Sequence, residues 1–379
     1  MMSWFLKESK QQKEERFLLN GKTLLKELIA SSNGKYNQYR SFTDKEIKIA
    51  TNNYDQQNII LTQGWYSLYS GFLQDRLVSV LNFSDEYTEN SINSIVFASQ
   101  MRHKFFLKLI GCCLETEAPI LVFEHVENGT LADRIYRSSE PHFEPLLLTH
   151  RLKIAMEIAN AIAYLHFGFS RPIIFRSIKP NNIVFTEQYV AKLFDFSNSI
   201  AIPEGETHVE DSSMVGTYGF MAPEYAITRK CNEKVDVYSF GRILLVVLTG
   251  LKSHQLSSWP AEIHFDGPLE RDDSPSSTAE THSDGPLEGD DSPIRPTEYC
   301  FDGPLERVVK KYIEQESFTE VVDPIVVGSG LSPKKEEQLQ AFAELAFKCL
   351  SPSGEDRPTM IDVAKQLRHI YKSTCQLMS

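Results

Sequence analysis

The sequence predicts an α+β protein of two unequal parts, a β-rich part with one main helix followed by a larger helical part. Between residues 59 and 124, short apolar and β-branched runs recur between turn residues, which is typical of strands. From Leu131 onward, the apolar residues recur at helical spacing. Strands that are grouped with one helix and then followed by many helices indicate the α+β class.

A helical extension is predicted at residues 1–40, ahead of the strands. Its apolar residues recur near helical spacing, and Lys and Glu occupy many of the other positions. Two interpretations remain open, because the helix could pack on its own domain or dock a partner. The apolar positions are Leu18, Leu24, Leu25, Leu28 and Ile29.

The β-rich part is predicted at residues 41–126. Thr43 and Glu46 form a capping box, which predicts a short helix from Asp44 to Asn52. One long helix is predicted at about Asn90–Met101. The predicted strands are Ile59–Leu61, Ser67–Phe72, Leu77–Phe83, Leu107–Leu114 and Ile120–Glu124.

The helical part is predicted at residues 127–372, with a tail at 373–379. His150–Phe167 carries its apolar residues on one face, which predicts an amphipathic helix. Asp236–Thr249 is apolar nearly all round, which predicts a buried central helix. Two last helices, at about Lys334–Leu350 and Met360–Tyr371, close the domain.

An acidic repeat interrupts the helical part. The sequence Asp-Gly-Pro-Leu-Glu begins at Asp266, at Asp284 and at Asp302, and acidic residues far outnumber arginines from Glu262 to Glu306. This segment carries most of the net charge of −12 and lacks the apolar surface to offset its ordering entropy. A disordered insertion is therefore predicted at about 255–303. Duplication without function and a partner-binding or phosphorylated arm both remain open.

Charge and cysteine content argue against several classes of function. The net charge of −12 argues against nucleic acid and anionic membrane as main partners, because phosphate binding needs basic surface. No direct membrane insertion is expected, since the longest aliphatic run, Ile243–Leu248, is far too short for a span. Met1–Trp4 leads directly into Lys and Glu, so no secretory signal is predicted. The six cysteines show no metal-ligand spacing, which predicts reduced, buried thiols and no metal site.

Several motifs occur in a fixed order within residues 41–371. Gly111–Glu115 and Leu121–Glu124 are two of them, and they resemble the strands that lead to the hinge between the two lobes of plant receptor-like protein kinases. The resemblance implies a bilobal protein kinase-like fold with a β-rich N-lobe and a helical C-lobe. The other matching motifs are Phe42–Asn53 before the first strand, Lys179–Asn182 in the catalytic loop, Gly216–Glu224 at the end of the activation segment, Asp236–Gly241, and Asp356–Pro358.

The parts of a kinase that hold the phosphates are replaced in this sequence. The resemblance places Leu81 at the phosphate-binding lysine and Ser94 at the glutamate that pairs with this lysine. The glycine-rich loop keeps only Gly64, and Trp65 and Tyr66 are expected to crowd the phosphates. Joint loss of the lysine and the glutamate fits a protein that no longer needs them, because a lone buried charge is costly.

The catalytic base is replaced as well. Phe175-Arg176-Ser177 stands where the family has His-Arg-Asp, and a serine hydroxyl is too weak a base near neutral pH. Ser197 replaces the glycine of Asp-Phe-Gly, where unusual backbone angles favour glycine. The sequence therefore predicts a pseudokinase without catalytic residues.

Some polar residues of the family are retained. Lys179, Asn182 and Asp195 match the positions that bind nucleotide and magnesium. Residual binding of ATP and Mg²⁺ remains open, and so does a purely structural role in which these side chains hold the catalytic loop together. The resemblance also implies structural roles for four residues, with an ion pair between two of them and a carboxylate that binds the catalytic loop. These are Arg176, Glu224, Asp236 and Arg357, of which Glu224 and Arg357 form the pair.

The short N-terminal extension and this set of losses are similar to the ZRK group of receptor-like cytoplasmic pseudokinases. This resemblance implies an adaptor of innate immunity that binds a coiled-coil NLR resistance protein. It also implies recognition of a bacterial effector, or of a cytoplasmic kinase that an effector has modified. We expect a cytoplasmic protein that partners recruit to the plasma membrane. A weak or atypical Ser/Thr kinase and an ATP-gated switch without catalysis are the alternatives.

Two surfaces are expected to meet partners. The N-lobe with residues 1–40 is expected to hold the receptor, and the activation segment, Asp195–Glu224, is expected to meet the effector or the modified kinase. Hydroxyls of this segment can accept modification, although ordinary loop residues remain the alternative for each. The candidates are Ser199, Thr207, Ser212, Ser213, Thr217 and Tyr218.

Overall fold

A computed structural model gives the fold of the chain. It describes residues 10–32, 39–136, 145–211, 214–217, 219–252, 304–328, 330 and 332–376. The insertion predicted at 255–303, with the first two copies of the acidic repeat, lies outside the described residues.

The N-lobe is built on a six-stranded sheet, in the order β1-β5-β6-β4-β3-β2. Strand β1 pairs parallel to β5, and the other neighbours pair antiparallel. The main helix α3 packs behind the sheet. The elements are α1 (Lys10–Ser32), β1 (Arg40–Ser41), α2 (Asp44–Ala50), β2 (Ile59–Gln63), β3 (Tyr66–Leu73), β4 (Arg76–Phe83), α3 (Thr88–Ala98), β5 (Leu109–Cys113) and β6 (Ile120–Glu124).

Both faces of this sheet are covered, so its central strands are apolar on each side. One face packs on α2 through a small cluster that includes Ile47 and Val80. The other face, which includes Leu68 and Leu81, joins the main core shared with the C-lobe. Gly111 lets β1 approach β5, because a Cβ at this position would lie 2.2 Å from the carbonyl oxygen of Arg40.

Helix α1 packs on its own domain, which is one of the two interpretations of the extension. Leu24 and Leu28 are buried, and α1 lies against α3. The Asn20 amide donates to the carbonyl oxygens of Leu114 and Thr116, at 3.1 and 3.0 Å. Arg40 already pairs with Gly111 in the sheet, so the N-lobe begins slightly before the predicted boundary.

The C-lobe is helical, with short strands around the catalytic loop and activation segment. Helix α7 is buried along nearly its whole length, as its apolar sequence predicts, and α5 and α10 pack on it. The helices are α4 (Leu131–Tyr136), α5 (Leu148–Phe167), α6 (Pro223–Thr228), α7 (Glu233–Thr249), α8 (Pro304–Glu314), α9 (Pro324–Val327), α10 (Pro333–Cys349) and α11 (Met360–Gln376). The strands are β7 (Ile173–Ile174), β8 (Ile183–Phe185), β9 (Ala191–Leu193), β10 (Ile200–Ala201), β11 (Val209–Glu210) and β12 (Lys230–Cys231).

One boundary in the C-lobe differs from the sequence prediction. Helix α11 continues to Gln376, so it includes the first residues of the stretch predicted as a tail, because Thr374 is still buried and bonds Gln338. The third copy of the acidic repeat runs into α8, where Leu305 is buried and Glu306 forms a buried ion pair with Arg242 of α7. This copy therefore anchors a helix of the core.

The α+β architecture with a β-rich N-lobe and a helical C-lobe confirms the predicted fold class. Cys112, Cys113, Cys231 and Cys349 are buried free thiols, and burial raises the pKa of each to about 12. They are therefore neutral at physiological pH. Within the described ranges, no helix is both long and apolar enough to cross a membrane.

Candidate functional site in the interlobe cleft

The glycine-rich loop of a kinase is reduced here to a tight hairpin turn. Gly64 and Trp65 connect β2 to β3, and Gln63 pairs directly with Tyr66 across the turn. Tyr66 is 2% exposed, and its ring lies edge-on to Phe83 and Phe194 with centroids 5.4 and 6.2 Å apart. The turn therefore directs an aromatic side chain into the cleft between the lobes.

The hydroxyl of Tyr66 reaches the position of a magnesium ligand. It donates to Asn182 Oδ1 at 3.0 Å, and Asn182 is entirely buried. Burial and the nearby charge of Asp195 raise the pKa of Tyr66 well above its ordinary value, so the phenol is a neutral donor. The Tyr66 hydroxyl is thus bonded to Asn182 Oδ1, the oxygen that would face a metal ion in a magnesium-binding kinase.

The positions of the lysine–glutamate pair hold no charge. Leu81 is fully buried in β4, opposite Leu68 and Leu121 in the neighbouring strands. Ser94 is buried on α3, and its hydroxyl makes no hydrogen bond within the described residues. The electrostatic contact that joins sheet and helix in an active kinase is therefore absent from these positions.

Asn93, next to Ser94, joins α3 to the C-lobe instead. Its Nδ2 lies 3.1 Å from the carbonyl oxygens of Phe196 and Ser197, and 2.9 Å from that of Ser199. The two hydrogens of this amide are shared among three acceptors. Sequence reasoning missed Asn93, because a single asparagine on a helix has no pattern that marks a tertiary contact.

The catalytic loop keeps its backbone geometry without its catalytic base. The N–H groups of Phe175 and Arg176 donate to the buried carboxylate of Asp236, at 2.8 and 2.9 Å. At the position of the base, the Ser177 hydroxyl accepts a hydrogen bond from the Asn198 amide at 3.2 Å. A neutral hydroxyl held in this way has no basicity to offer a substrate at neutral pH.

The three retained polar residues bond one another and the N-lobe. Asn182 Nδ2 donates to Asp195 Oδ2 at 3.2 Å and to the carbonyl oxygen of Ser177 at 3.0 Å. Asp195 Oδ1 accepts the N–H of Ser197 at 3.0 Å. Lys179 Nζ donates across the cleft to Gln63 Oε1 at 2.9 Å.

The donor set in this conformation does not fit a bound magnesium nucleotide. Asp195 and Asn182 are fully buried, and Lys179 is 5% exposed. Asn182 Oδ1 and Lys179 Nζ, which would face metal and phosphate, bond Tyr66 and Gln63. The lobes are thus connected by side chains at the place where nucleotide connects them in an active kinase.

The structural pair in the C-lobe is intact. Arg357 is 2% exposed and binds Glu224 in a bidentate ion pair, with N–O distances of 2.6 and 2.7 Å. Its guanidinium also lies 4.9 Å from the ring centroid of Tyr238. This pair connects the end of the activation segment to the loop before α11, and its geometry is of the strong bidentate type.

Among the candidate contact hydroxyls, Ser199 is not at the surface, which corrects the expectation for this residue. It is 3% exposed, and its hydroxyl donates to the carbonyl oxygen of Phe175 at 3.2 Å. Thr207 is exposed beside His208, and Thr217 is half-buried. Ser212, Ser213 and Tyr218 lie outside the described residues.

Comparison with known families identifies the class of protein. Residues 77–371 match the protein kinase domain, and the chain belongs to that family. Its relatives include three proteins of Arabidopsis thaliana that it matches over nearly their full length.

Two of these relatives are named non-functional pseudokinases. ZRK2 is 36% identical over 372 residues, which cover 96% of this chain and 92% of ZRK2. ZED1 is 37% identical over 376 residues, which cover 96% of this chain and 99% of ZED1. The third, ZRK1, is named a serine/threonine-protein kinase and is 36% identical over 377 residues, which cover 97% of this chain and 95% of ZRK1. The group thus contains proteins of both descriptions.

Proposed function

We propose that the chain is a pseudokinase that binds partners and does not transfer phosphate. The observation that supports this most directly is Tyr66, which fills the cleft and bonds Asn182. Leu81, Ser94 and Ser177 at the other reactive positions support it further, because phosphoryl transfer depends on positioned cations and a base. Two close relatives are named non-functional pseudokinases.

Thermal unfolding with and without ATP and Mg²⁺, together with transfer of radiolabelled phosphate, tests this proposal. The native chain is expected to show no rise in melting temperature and no transfer. Tyr66→Ala serves as the matched variant with an opened cleft, and Asp195→Ala as the variant without the metal carboxylate. Phosphate transfer by the native chain that disappears in Asp195→Ala would contradict the proposal.

A nucleotide-gated switch without catalysis is the second candidate. It is favoured by Lys179, Asn182 and Asp195, which retain the family's positions around one site. Nucleotide would have to displace the Tyr66 side chain, which would break its contact between the lobes. ATP could then act as a switch if it bound the conformation with Tyr66 displaced more tightly than the conformation with Tyr66 in the cleft. A rise in melting temperature with ATP and Mg²⁺, without transfer, would replace the first candidate by this one.

The partners proposed are a coiled-coil NLR resistance protein and either a bacterial effector or an effector-modified cytoplasmic kinase. Helix α1 supports the receptor surface, because one side of it packs on the N-lobe while other large aliphatic side chains face solvent. Leu18, Leu25 and Ile29 are 67, 51 and 57% exposed and lie close together on the helix surface. Exposed apolar groups in such a cluster are typical of protein-binding sites.

Co-purification of the full chain with coiled-coil NLR proteins tests the adaptor role. The double variant Leu18→Glu with Leu25→Glu is expected to reduce recovery of the receptor at least tenfold without lowering the melting temperature. Lys45→Glu, at an exposed position of α2 outside this cluster, changes the net charge by the same amount and is the matched control, which is expected to bind normally. Equal loss in both variants, or no receptor recovered by the native chain, would contradict the role.

A further inference from the structure

Arg176 of the catalytic loop keeps its identity although both of its neighbours are changed. Its backbone lies in the left-handed region, with φ of 62°, and Asp236 holds its N–H. Its Nε donates to the carbonyl oxygen of Asn198 at 2.5 Å, and its Nη1 forms an ion pair with Asp211. Both of these side-chain bonds connect the catalytic loop to the activation segment.

Asp211 lies in the middle of the activation segment, directly after β11. The N–H of Asp211 donates to the carbonyl oxygen of Arg229 at 2.9 Å, which extends the pairing of β11 with β12. Its carboxylate also accepts the hydroxyl of Tyr225 at 2.6 Å. The same hydroxyl accepts the N–H of Val215 at 3.1 Å, so one carboxylate connects the catalytic loop, α6 and the segment on either side.

An ion pair of this kind has the position of a phosphorylation contact. Kinase activation segments become ordered when a phosphorylated residue pairs with an arginine, because the new charge compensates a cation that is otherwise unpaired. In this chain the anion is the carboxylate of an encoded residue, Asp211. The side chains of Arg176 and Asp211 are 9 and 11% exposed, so water and salt screen their attraction little.

We propose that Asp211 is a built-in anion that holds the activation segment in its partner-facing conformation without phosphorylation. The inference deepens the proposed function, since it concerns the segment assigned to the effector or the modified kinase. It makes Asp211 a positioning residue, which acts through Arg176 and Tyr225. The segment is then ready for a partner as soon as the chain has folded.

The network is organised so that charge, and not only hydrogen bonding, is required. Burial and the bond to Asp211 raise the pKa of Tyr225, so its hydroxyl is a neutral donor at all physiological pH values. Asp211→Asn keeps an acceptor oxygen for Arg176 and Tyr225 but removes the negative charge. The arginine would then be buried without a compensating anion, which is the costly situation for an ion pair.

Hydrogen exchange of the full chain, measured by mass spectrometry without any partner, tests the inference. The chain is produced in bacteria, and its mass is checked for the absence of phosphate. The amides of Asp211 and Val215, which donate to Arg229 and Tyr225, are expected to be protected in the native chain. Asp211→Asn is expected to lower this protection at least tenfold while peptides from α7 stay unchanged.

Two further variants separate charge from shape. Glu210→Gln, at the exposed neighbouring position, is the matched control and is expected to exchange like the native chain. Asp211→Glu is expected to retain most of the protection, because it keeps the charge. If Asp211→Asn does not fold, Arg176→Gln gives the same measurement from the other side of the pair, with the same local loss expected.

Native protection of the amides at positions 211 and 215 in Asp211→Asn or in Arg176→Gln would overturn the inference. Rapid exchange of these two amides in the unphosphorylated native chain would overturn it as well. The measurement needs no partner, so its outcome is independent of the adaptor role. If these amides are protected from exchange but the chain binds neither an effector nor a modified kinase, the role of Asp211 is supported and the proposed partner-binding function of the segment is contradicted.

Discussion

The interlobe cleft and the structural frame of the C-lobe, formed by Glu224, Asp236 and Arg357, differ in whether they keep the charged pair that the kinase family has there. In the frame, the buried Arg357 forms a bidentate ion pair with the partly exposed Glu224, and Asp236 binds the backbone of the catalytic loop. In the cleft, Leu81 and Ser94 stand at the positions of a charged pair, and both are buried. The lysine–glutamate pair is thus absent from the cleft, and the buried charges that remain there, Lys179 and Asp195, bond the neighbouring side chains of Gln63 and Asn182.

This difference shows how a kinase fold persists without the reaction. Nucleotide and metal contribute binding energy that holds the two lobes together, and their loss has to be offset by other contacts. Tyr66, Gln63 and Asn93 provide such contacts, each with hydrogen bonds from the N-lobe to the C-lobe. The cleft has therefore become part of the structural frame, because its polar side chains bond one another across the two lobes.

The largest effect is expected from breaking the frame itself. Arg357→Met removes the bidentate bonds to Glu224 and the guanidinium that also donates to the carbonyl oxygens of Ser351 and Lys234, so the free energy of unfolding should fall by about 3 kcal/mol. Urea denaturation measures the change. Lys365→Met, at an exposed ion pair with Asp362, is the control and should cost at most about 1 kcal/mol. Similar small losses in both variants would contradict the assignment of Arg357 to the frame.

A smaller effect is expected from the contact that closes the cleft. Tyr66→Phe removes the hydroxyl that bonds Asn182 and leaves a buried amide oxygen unpaired, which should cost about 1–2 kcal/mol of unfolding free energy. Tyr69→Phe, on the opposite face of the same strand, is the matched control. Equal stability of Tyr66→Phe and the native chain would mean that the cleft has no structural role.

The smallest effect is expected where the cleft still carries a polar group without a partner. Ser94→Ala should leave the stability unchanged or raise it by up to about 1 kcal/mol, because it removes a buried hydroxyl without a hydrogen bond. Ser99→Ala should lower stability by about 1 kcal/mol, because the Ser99 hydroxyl donates to the carbonyl oxygen of Val96 at 2.9 Å. Thermal unfolding of the two variants, measured side by side, decides whether Ser94 is a remnant or a functional residue.

Much of the fold could be predicted from local patterns. The capping box of α2 is present with both of its hydrogen bonds, since it depends only on neighbouring residues. The burial of helix α7 could be predicted because its sequence is apolar on nearly all sides, so other elements must pack around it. The end of α11 at Gln376 was missed, because burial of Thr374 against α10 is a contact between distant segments.

The sequence by itself determined the fold class and the identities at the reactive positions, because strand and helix periods and ordered motifs are local properties of the chain. Only the tertiary structure decided which polar side chains replace the lost chemistry. Asn93 is tied to the segment at 196–199, and Asp211 to Arg176, through contacts between residues far apart in sequence. The role of a buried polar side chain depends on the group that it bonds. The packing of distant segments brings that group into reach, and no pattern along the chain indicates it.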